Sequence, residues 1–119
     1  MKRILLLVAT TTMLALIVTG GVALAASIIS CPRNAAECSG TNGDDRIKGA
    51  NTDDKIYALG GNDTVDGNGG WDVLFGDDVD DRTFDGNDKL DGGAGSDVLH
   101  GYGGSDTLIG GSGDDGIDA

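Results

Sequence analysis

Aspartate recurs every nine residues through the C-terminal two thirds of the chain, with one interruption. The residues in this series are Asp45, Asp54, Asp63, Asp72, Asp88, Asp97, Asp106 and Asp115. Carboxylate oxygens are hard ligands that suit hard cations, whereas softer metals prefer His or Cys. His100 is the only histidine, so the chemistry that this spacing predicts is the binding of a hard cation.

Two other residue types keep the same period. A branched aliphatic residue stands two positions after each aspartate: Ile47, Ile56, Val65, Leu74, Leu90, Leu99, Leu108 and Ile117. Glycine stands two positions before it at Gly43, Gly61, Gly70, Gly86, Gly95, Gly104 and Gly113, and Thr52 takes that place in the second unit. The chain thus repeats G-G-x-G-x-D-x-U-x, where U is a large aliphatic residue and the aspartate is position six.

This pattern resembles the RTX (hemolysin-type) calcium-binding nonapeptide repeat. The resemblance covers Gly40 to Asp118, which is 79 of the 119 residues. It implies an all-β fold after an N-terminal signal helix: a parallel β-roll, or right-handed β-solenoid, with two nonapeptides in each coil. It also implies calcium as the cofactor, bound by the eight position-six aspartates together with backbone carbonyl groups of the glycine-rich turns.

Stacking of the coils would bring the carboxylates of alternate units close together, since neighbouring strands lie about 4.8 Å apart. The expected pairs are Asp45 over Asp63, Asp54 over Asp72, Asp88 over Asp106 and Asp97 over Asp115. Two carboxylates about 5 Å apart repel by roughly 0.8 kcal/mol even in bulk water. A divalent cation between the turns reverses the sign, and calcium tolerates irregular oxygen shells better than magnesium does.

The composition limits the fold and the partners. The chain has 22 glycines, 4% aromatic residues and a net charge of −12, a composition that ordinarily predicts disorder. The nine-residue period favours an ordered solenoid instead, provided that the carboxylates are neutralised. The acidic balance argues against nucleic acid or an anionic membrane surface as a partner and in favour of calcium ions.

The first 25 residues have the three parts of a secretory signal: the basic Lys2 and Arg3, an apolar run from Ile4 to Val18, and the small residues of Ala23-Leu24-Ala25. We expect cleavage after Ala25 and a secreted, extracellular protein. Removal of the two basic residues leaves six basic against twenty acidic residues, a net charge of −14.

Residues 26–39 form a junction before the repeats and contain both cysteines, Cys31 and Cys38. In an exported chain an intramolecular disulfide is the default. A second interpretation is open, because Ser27 to Cys31 resembles a loose bacterial lipobox, in which Cys31 would be lipidated and anchor the chain.

The β-roll is expected over residues 40–119, with an insertion at residues 79–85. This insertion is either a surface loop or an extra cation site that uses Asp77, Asp78, Asp80 and Asp81. The first two units lack the double glycine, and Ala58 and Leu59 replace it in the third. We therefore expect the weaker calcium sites there and the best sites from Asp88 onward.

No catalytic motif accompanies the repeats: there is no H-E-x-x-H, P-loop or nucleophile elbow. The sequence predicts a secreted, non-enzymatic protein whose repeats fold on binding calcium. The alternative is a cell-surface adhesion or assembly module that self-associates through uncapped ends of the β-roll, because solenoids expose strand edges where no cap covers them.

Overall fold

A computed structural model of the chain describes residues 26–35, 37–80 and 82–119. The signal peptide expected at residues 1–25 lies outside the described residues. The described part contains ten β-strands, one 3-10 turn and no α-helix. None of its residues forms a helix with the length and apolarity that a membrane crossing requires. The all-β prediction is confirmed.

The strands form two five-stranded parallel sheets, and the chain passes from one to the other at every strand. The first sheet contains β1 (Ser27–Ser30), β3 (Asp45–Lys48), β5 (Thr64–Asp66), β7 (Lys89–Asp91) and β9 (Thr107–Ile109). The second contains β2 (Cys38–Ser39), β4 (Lys55–Tyr57), β6 (Val73–Phe75), β8 (Val98–His100) and β10 (Gly116–Asp118). Two nonapeptides make one coil, which confirms the predicted β-roll.

The position-eight aliphatic residues form two columns inside the roll. One column pairs Ile29, Ile47, Val65, Leu90 and Leu108 in register, and the other pairs Cys38, Ile56, Leu74, Leu99 and Ile117. From Ile47 to Leu99 these aliphatic side chains are buried, whereas Ile117 is 52% exposed because the last coil has a neighbour on one side only. One residue per strand therefore supplies the core, and this core is thin.

The junction residues lie against the repeats as an additional first coil. β1 pairs with β3, and β2 pairs with β4. Cys31 and Cys38 form a disulfide with their Cα atoms 5.7 Å apart, and Cys38 shares a register position with Ile56. Cys38 thus takes the place of one aliphatic residue in the second column, while Ile29 continues the first column.

A row of aromatic rings covers the outer face of the second sheet. Parallel, in-register strands place the position-nine residues Tyr57, Phe75 and His100 above one another, with ring centroids 4.8 and 5.3 Å apart. Tyr102 stacks at the same end, 5.7 Å from His100. His100 Nδ1 lies 3.6 Å from Asp118 Oδ2, so the single histidine belongs to this outer row and not to the aspartate turns.

The insertion folds back onto the roll. Its 3-10 turn spans Arg82–Phe84, and the backbone N–H of Gly61 donates to the Phe84 carbonyl oxygen at 3.0 Å. A Cβ atom at Gly60 would collide with the Phe84 side chain. The insertion therefore rests on the turn of the preceding coil in the same stack.

Candidate metal centre

Five of the eight aspartate turns, in the third, fourth, sixth, seventh and eighth units, have left-handed backbone at positions two and four. Position four has φ of 101° at Gly61 and 98° at Gly104. Position two is left-handed even where it is not glycine: φ is 84° at Leu59, 74° at Asn68 and 72° at Tyr102. Glycine takes this conformation without steric cost. The second and third glycines of the repeat thus follow from the shape of the turn.

One oxygen of each aspartate is used to join successive coils. The backbone N–H of a position-six aspartate donates to Oδ1 of the aspartate one coil further on. These bonds run from Asp45 to Asp63, Asp54 to Asp72, Asp63 to Asp88, Asp72 to Asp97, Asp88 to Asp106 and Asp97 to Asp115, over 2.7 to 2.9 Å. The predicted stacking is present, and it continues across the insertion. Each Oδ1 therefore faces an N–H donor and not a second carboxylate.

The other oxygen, Oδ2, has no such partner in the middle of the roll. It is buried without a hydrogen bond in Asp63, Asp72, Asp88 and Asp97. In the first unit, Asp45 Oδ2 accepts a hydrogen bond from Thr41. A buried acceptor that lacks a partner is destabilising, so the middle coils contain a repeated, uncompensated polar group.

In the second unit, Asp54 Oδ2 accepts from the Ala50 N–H at 2.7 Å. At the far end of the roll, Asp106 and Asp115 are only half-buried. The expectation of weaker calcium sites in the first units and the best sites from Asp88 onward stays a prediction. The buried, unpartnered Oδ2 atoms of the position-six aspartates extend from Asp63 to Asp97.

The first glycine of each unit makes room for Oδ2. A Cβ atom on Gly67 would lie 2.6 Å from Asp72 Oδ2 and 2.8 Å from the Gly92 carbonyl oxygen of the next coil. On Gly92 the corresponding distances are 2.5 Å to Asp97 Oδ2 and 2.7 Å to the Gly110 carbonyl oxygen. A carboxylate oxygen and a carbonyl oxygen thus converge beside a bare Cα, an arrangement that suits a cation and repels any further acceptor.

The donor set has a definite composition. In the part of the chain that the structure describes, no three acidic, His or Cys side chains come close enough together to hold a metal ion by themselves. Any cation in these turns must take backbone carbonyl oxygens beside the aspartates. Calcium accepts such mixed oxygen shells, so the residues present fit calcium.

Comparison with known proteins agrees with the geometry. The model of the RTX calcium-binding nonapeptide repeat (4 copies) matches residues 39–74, 49–83 and 82–117. The chain belongs to this RTX repeat family. No curated protein and no solved structure was found to match the chain. Its repeats are therefore of a calcium-binding type, and the resemblance seen in the sequence is confirmed.

Burial makes the RTX aspartates difficult to ionise without a cation. It raises the pKa of Asp63 to about 8 and the pKa values of Asp72 and Asp88 to about 7. The N–H donor at Oδ1 lowers each pKa, and neighbouring carboxylates raise it again. Near neutral pH each of these carboxyls gains from either a proton or a cation.

Ala58 makes the third unit different. Its N–H donates to the Phe75 carbonyl oxygen at 2.8 Å, as the Gly40 N–H does to Tyr57 in the first unit. Ala58 therefore stands at position one, where the other seven units have glycine, and it is fully buried. A Cβ atom at the equivalent Gly67 or Gly92 would crowd Oδ2 of the aspartate in its unit, so we expect the Ala58 methyl group to crowd Oδ2 of Asp63.

Asp77 is a buried aspartate that the position-six series does not include. It is 1% exposed and its Oδ2 has no hydrogen-bond partner. The sequence placed it in a four-residue alternative site, but Asp78 and Asp80 are exposed and Asp81 lies outside the described residues. Asp77 follows directly after the position-one Gly76. An acidic residue at position two occurs in no other unit, and this difference could have identified Asp77 from the sequence.

The raised pKa values predict that protons stabilise the calcium-free roll. Between the unfolded pKa, near 3.8, and the folded values of about 7 to 8, the folded chain holds more protons than the unfolded chain. Stability is then greatest below the unfolded pKa, falls progressively as the pH rises above it, and reaches its minimum once the pH has passed the folded values of about 7 to 8. Far-ultraviolet circular dichroism of calcium-free protein from pH 4.5 to 8.5 should show β-structure decreasing over that range.

Asp63→Asn should flatten this pH dependence, because the amide keeps the Oδ1 acceptor and removes the titrating group. Saturating calcium should reverse the trend, since protons then compete with the cation. A calcium-free β-signal that increases with pH would contradict the assignment of these carboxyls.

Ala58→Gly should strengthen calcium binding in the third unit. Relief of one crowded buried oxygen is worth on the order of 1 kcal/mol, so the calcium midpoint should fall about fivefold in a calorimetric titration. Ala94→Gly is the matched control, because Ala94 is exposed at position three and tests only the added backbone freedom. Equal midpoints for the two variants would argue against a steric role for the Ala58 methyl group.

Proposed function

We propose that this protein is a secreted, non-enzymatic calcium-binding β-roll whose stacked turns become ordered on binding calcium. The observation that carries this proposal is the row of buried, unpartnered Oδ2 atoms in Asp63, Asp72, Asp88 and Asp97. Each belongs to a unit of the same RTX repeat. Calcium, when bound, would supply the positive charge that these oxygen-lined turns lack.

The eight position-six aspartates are the proposed ligands, with unequal roles. Asp72, Asp88 and Asp97 combine a buried, unpartnered Oδ2 with a glycine at position one, and they should bind best. Asp63 has the same unpartnered oxygen beside Ala58. Asp45 has an Oδ2 already engaged by Thr41.

Asp54, Asp106 and Asp115 complete the proposed ligand set. Asp54 Oδ2 is engaged by the Ala50 N–H, so a cation would have to compete with that hydrogen bond. Asp106 and Asp115 are half-buried in the last coil. From Asp63 to Asp115, the six aspartates of the later units use Oδ1 to keep the register between coils, and Oδ2 is the atom that we assign to the cation.

Folding and calcium binding should be coupled, because the roll has little else to stabilise it. Its core is one aliphatic side chain per strand, and each contributes about 1.5 to 3 kcal/mol on burial. Ordering the backbone costs about 1 to 2 kcal/mol for every residue, and each buried carboxylate adds a further cost. Free energy of metal binding then becomes free energy of folding.

Secretion is supported by the N-terminal pattern and by the disulfide. We propose residues 1–25 as a cleaved signal peptide, 26–39 as the junction with the Cys31–Cys38 loop, and 40–119 as the RTX roll with its insertion at 79–85. Disulfides persist in oxidising compartments, and a bond to Cys38 leaves Cys31 without a free sulfur for a lipid. Extracellular modules bind calcium near 10⁻⁴ to 10⁻³ M, which suits ordering after export.

Other roles have less support. The position-six aspartates are committed to the turns, and His100 lies in the aromatic row beside Phe75 and Tyr102, so neither favours a catalytic role. The net charge of −12 opposes binding to nucleic acid or to an anionic membrane. We therefore expect calcium ions as the main partner.

Calcium titration of the protein purified after export tests the proposal. Circular dichroism should show β-structure appearing cooperatively with calcium and far less with magnesium. Asp97→Asn should raise the calcium midpoint about tenfold, since it removes a charged ligand, yet it should favour the fold in chelator because the amide need not be ionised. Asp45→Asn is the matched control and should shift the midpoint less.

A β-signal in chelator at pH 7.5 that equals the signal in saturating calcium would rule out calcium-coupled folding. A larger shift for Asp45→Asn than for Asp97→Asn would overturn the proposed ranking of the ligands.

A second candidate function is assembly with another copy of the chain. The last coil favours it: Leu108 is only partly buried, Ile117 is 52% exposed, and β9 and β10 are each paired on one side. A free strand edge beside exposed apolar residues is a template for pairing with another chain. The other end differs, because the Cys31–Cys38 loop lies there.

Ile117→Asp should abolish calcium-dependent assembly if this second function holds. Light scattering coupled to size exclusion would show oligomers of the wild type in calcium, and only monomers of the variant. Val79→Asp, at an exposed apolar residue of the insertion, is the control and should still assemble. A monomeric wild type in calcium would rule the assembly function out.

A further inference from the structure

The fifth unit carries acidic residues where the other seven have none. Its position two is Asp77, and its position three, directly before Gly86, is Asp85. In every other unit these two positions carry uncharged residues. The seven-residue insertion separates Asp77 from Asp85 in sequence, and the fold returns the chain to Gly86, whose N–H donates to Asp77 Oδ1 at 3.1 Å.

Asp77 is buried in a way that calls for a ligand. It is 1% exposed, and its Oδ2 has neither solvent contact nor a hydrogen-bond partner. Among the described residues it is the one buried aspartate outside position six. The ion pairs found in the described ranges, Lys55–Glu37 and His100–Asp118, do not reach it, so no basic side chain compensates its charge.

Asp85 brings a second carboxylate to the same turn. Its carboxylate fills the space beside the Gly103 Cα, where a Cβ atom would collide with it. Asp85 therefore packs on the following coil of the stack, while Phe84 packs on Gly60 of the preceding coil. The charges of Asp85 and Asp106 both act on the Asp77 carboxyl.

The backbone N–H groups of Gly86 and Gly103 offset part of the Asp77 charge. Its Oδ2 still lacks a hydrogen-bond partner, so the surroundings favour a cation at that oxygen. A buried carboxylate close to like charges is stable only if a proton or a cation neutralises it. Asp88, with Oδ2 beside Gly76, belongs to the ordinary repeat site. Asp77 adds an oxygen that the repeat pattern does not require, and Asp85 adds one from the far end of the insertion.

We propose that the insertion builds an additional calcium site in the fifth unit, held by the carboxylates of Asp77 and Asp85 beside the repeat site of Asp88. The proposal rests on the proposed function in one respect, that calcium enters the turns of the roll. Calcium is favoured over magnesium because the donors come from the two ends of a seven-residue insertion and need a flexible shell. Binding there ties the loop at residues 79–85 to the coils on either side.

The test compares two double variants that remove the same charge. Asp77→Asn with Asp85→Asn removes the proposed ligands, whereas Asp78→Asn with Asp80→Asn removes two exposed carboxylates of the same insertion. Calorimetric titration of the purified exported protein with calcium chloride should give one calcium ion fewer for the first variant. The second should match the wild type in stoichiometry and affinity.

Limited trypsin digestion supplies an independent readout at Arg82, an exposed residue within the insertion. Calcium should slow cleavage after Arg82 in the wild type and in the Asp78→Asn, Asp80→Asn variant. In the Asp77→Asn, Asp85→Asn variant, cleavage should stay at least about tenfold faster, because the loop is no longer tied down. Asp97→Asn removes a repeat ligand elsewhere and should leave Arg82 protected by calcium.

Circular dichroism in calcium verifies that each variant is folded. If the first double variant does not fold, Asp85→Asn alone replaces it, since Asp85 is exposed, and it should weaken one calcium site about tenfold. Unchanged stoichiometry, affinity and Arg82 protection in variants that lack these ligands would overturn the insertion site and leave the proposed function standing. A wild type that binds no calcium would overturn both.

Discussion

The structure depends on how the second oxygen of each buried aspartate is neutralised. One oxygen accepts an N–H from the preceding coil, as from Asp72 to Asp97, and this bond fixes the spacing of the coils. The other oxygen faces a backbone carbonyl beside the position-one glycine. An unneutralised acceptor pair of this kind recurs along the middle of the roll, so the fold is coupled to whatever cation or proton is present.

The glycines serve this constraint in two different ways. In five of the eight units positions two and four have left-handed backbone, which position two reaches even at Asn68 and Tyr102. Position one needs no unusual φ, and seven of the eight units have glycine there because a Cβ atom would crowd the carboxylate oxygen. The same turn therefore explains both why the repeat is rich in glycine and why Ala58 is significant. A single methyl group changes the surroundings of a site without changing the path of the chain.

The resemblance and the nine-residue period together predicted the β-roll and the stacking of aspartates in alternate units. Three features lay beyond that reasoning. The junction residues form the first coil, because β1 and β2 find free strand edges to pair with. The Oδ1 hydrogen bonds replace the expected face-to-face carboxylates. The burial of Asp77 depends on where the insertion at residues 79–85 rejoins the roll, and the nine-residue period does not determine that point.

The sequence by itself determined which residues recur and therefore which of them stack, because identical units must repeat the same turn and the same strand. Only the tertiary structure decided which carboxylates lose their water and which oxygen remains without a partner. Burial depends on the coils above and below a residue, so Asp97 in the middle and Asp115 at the last coil differ although their units are alike. That neighbour dependence is a property of the stacked roll and not of any single repeat.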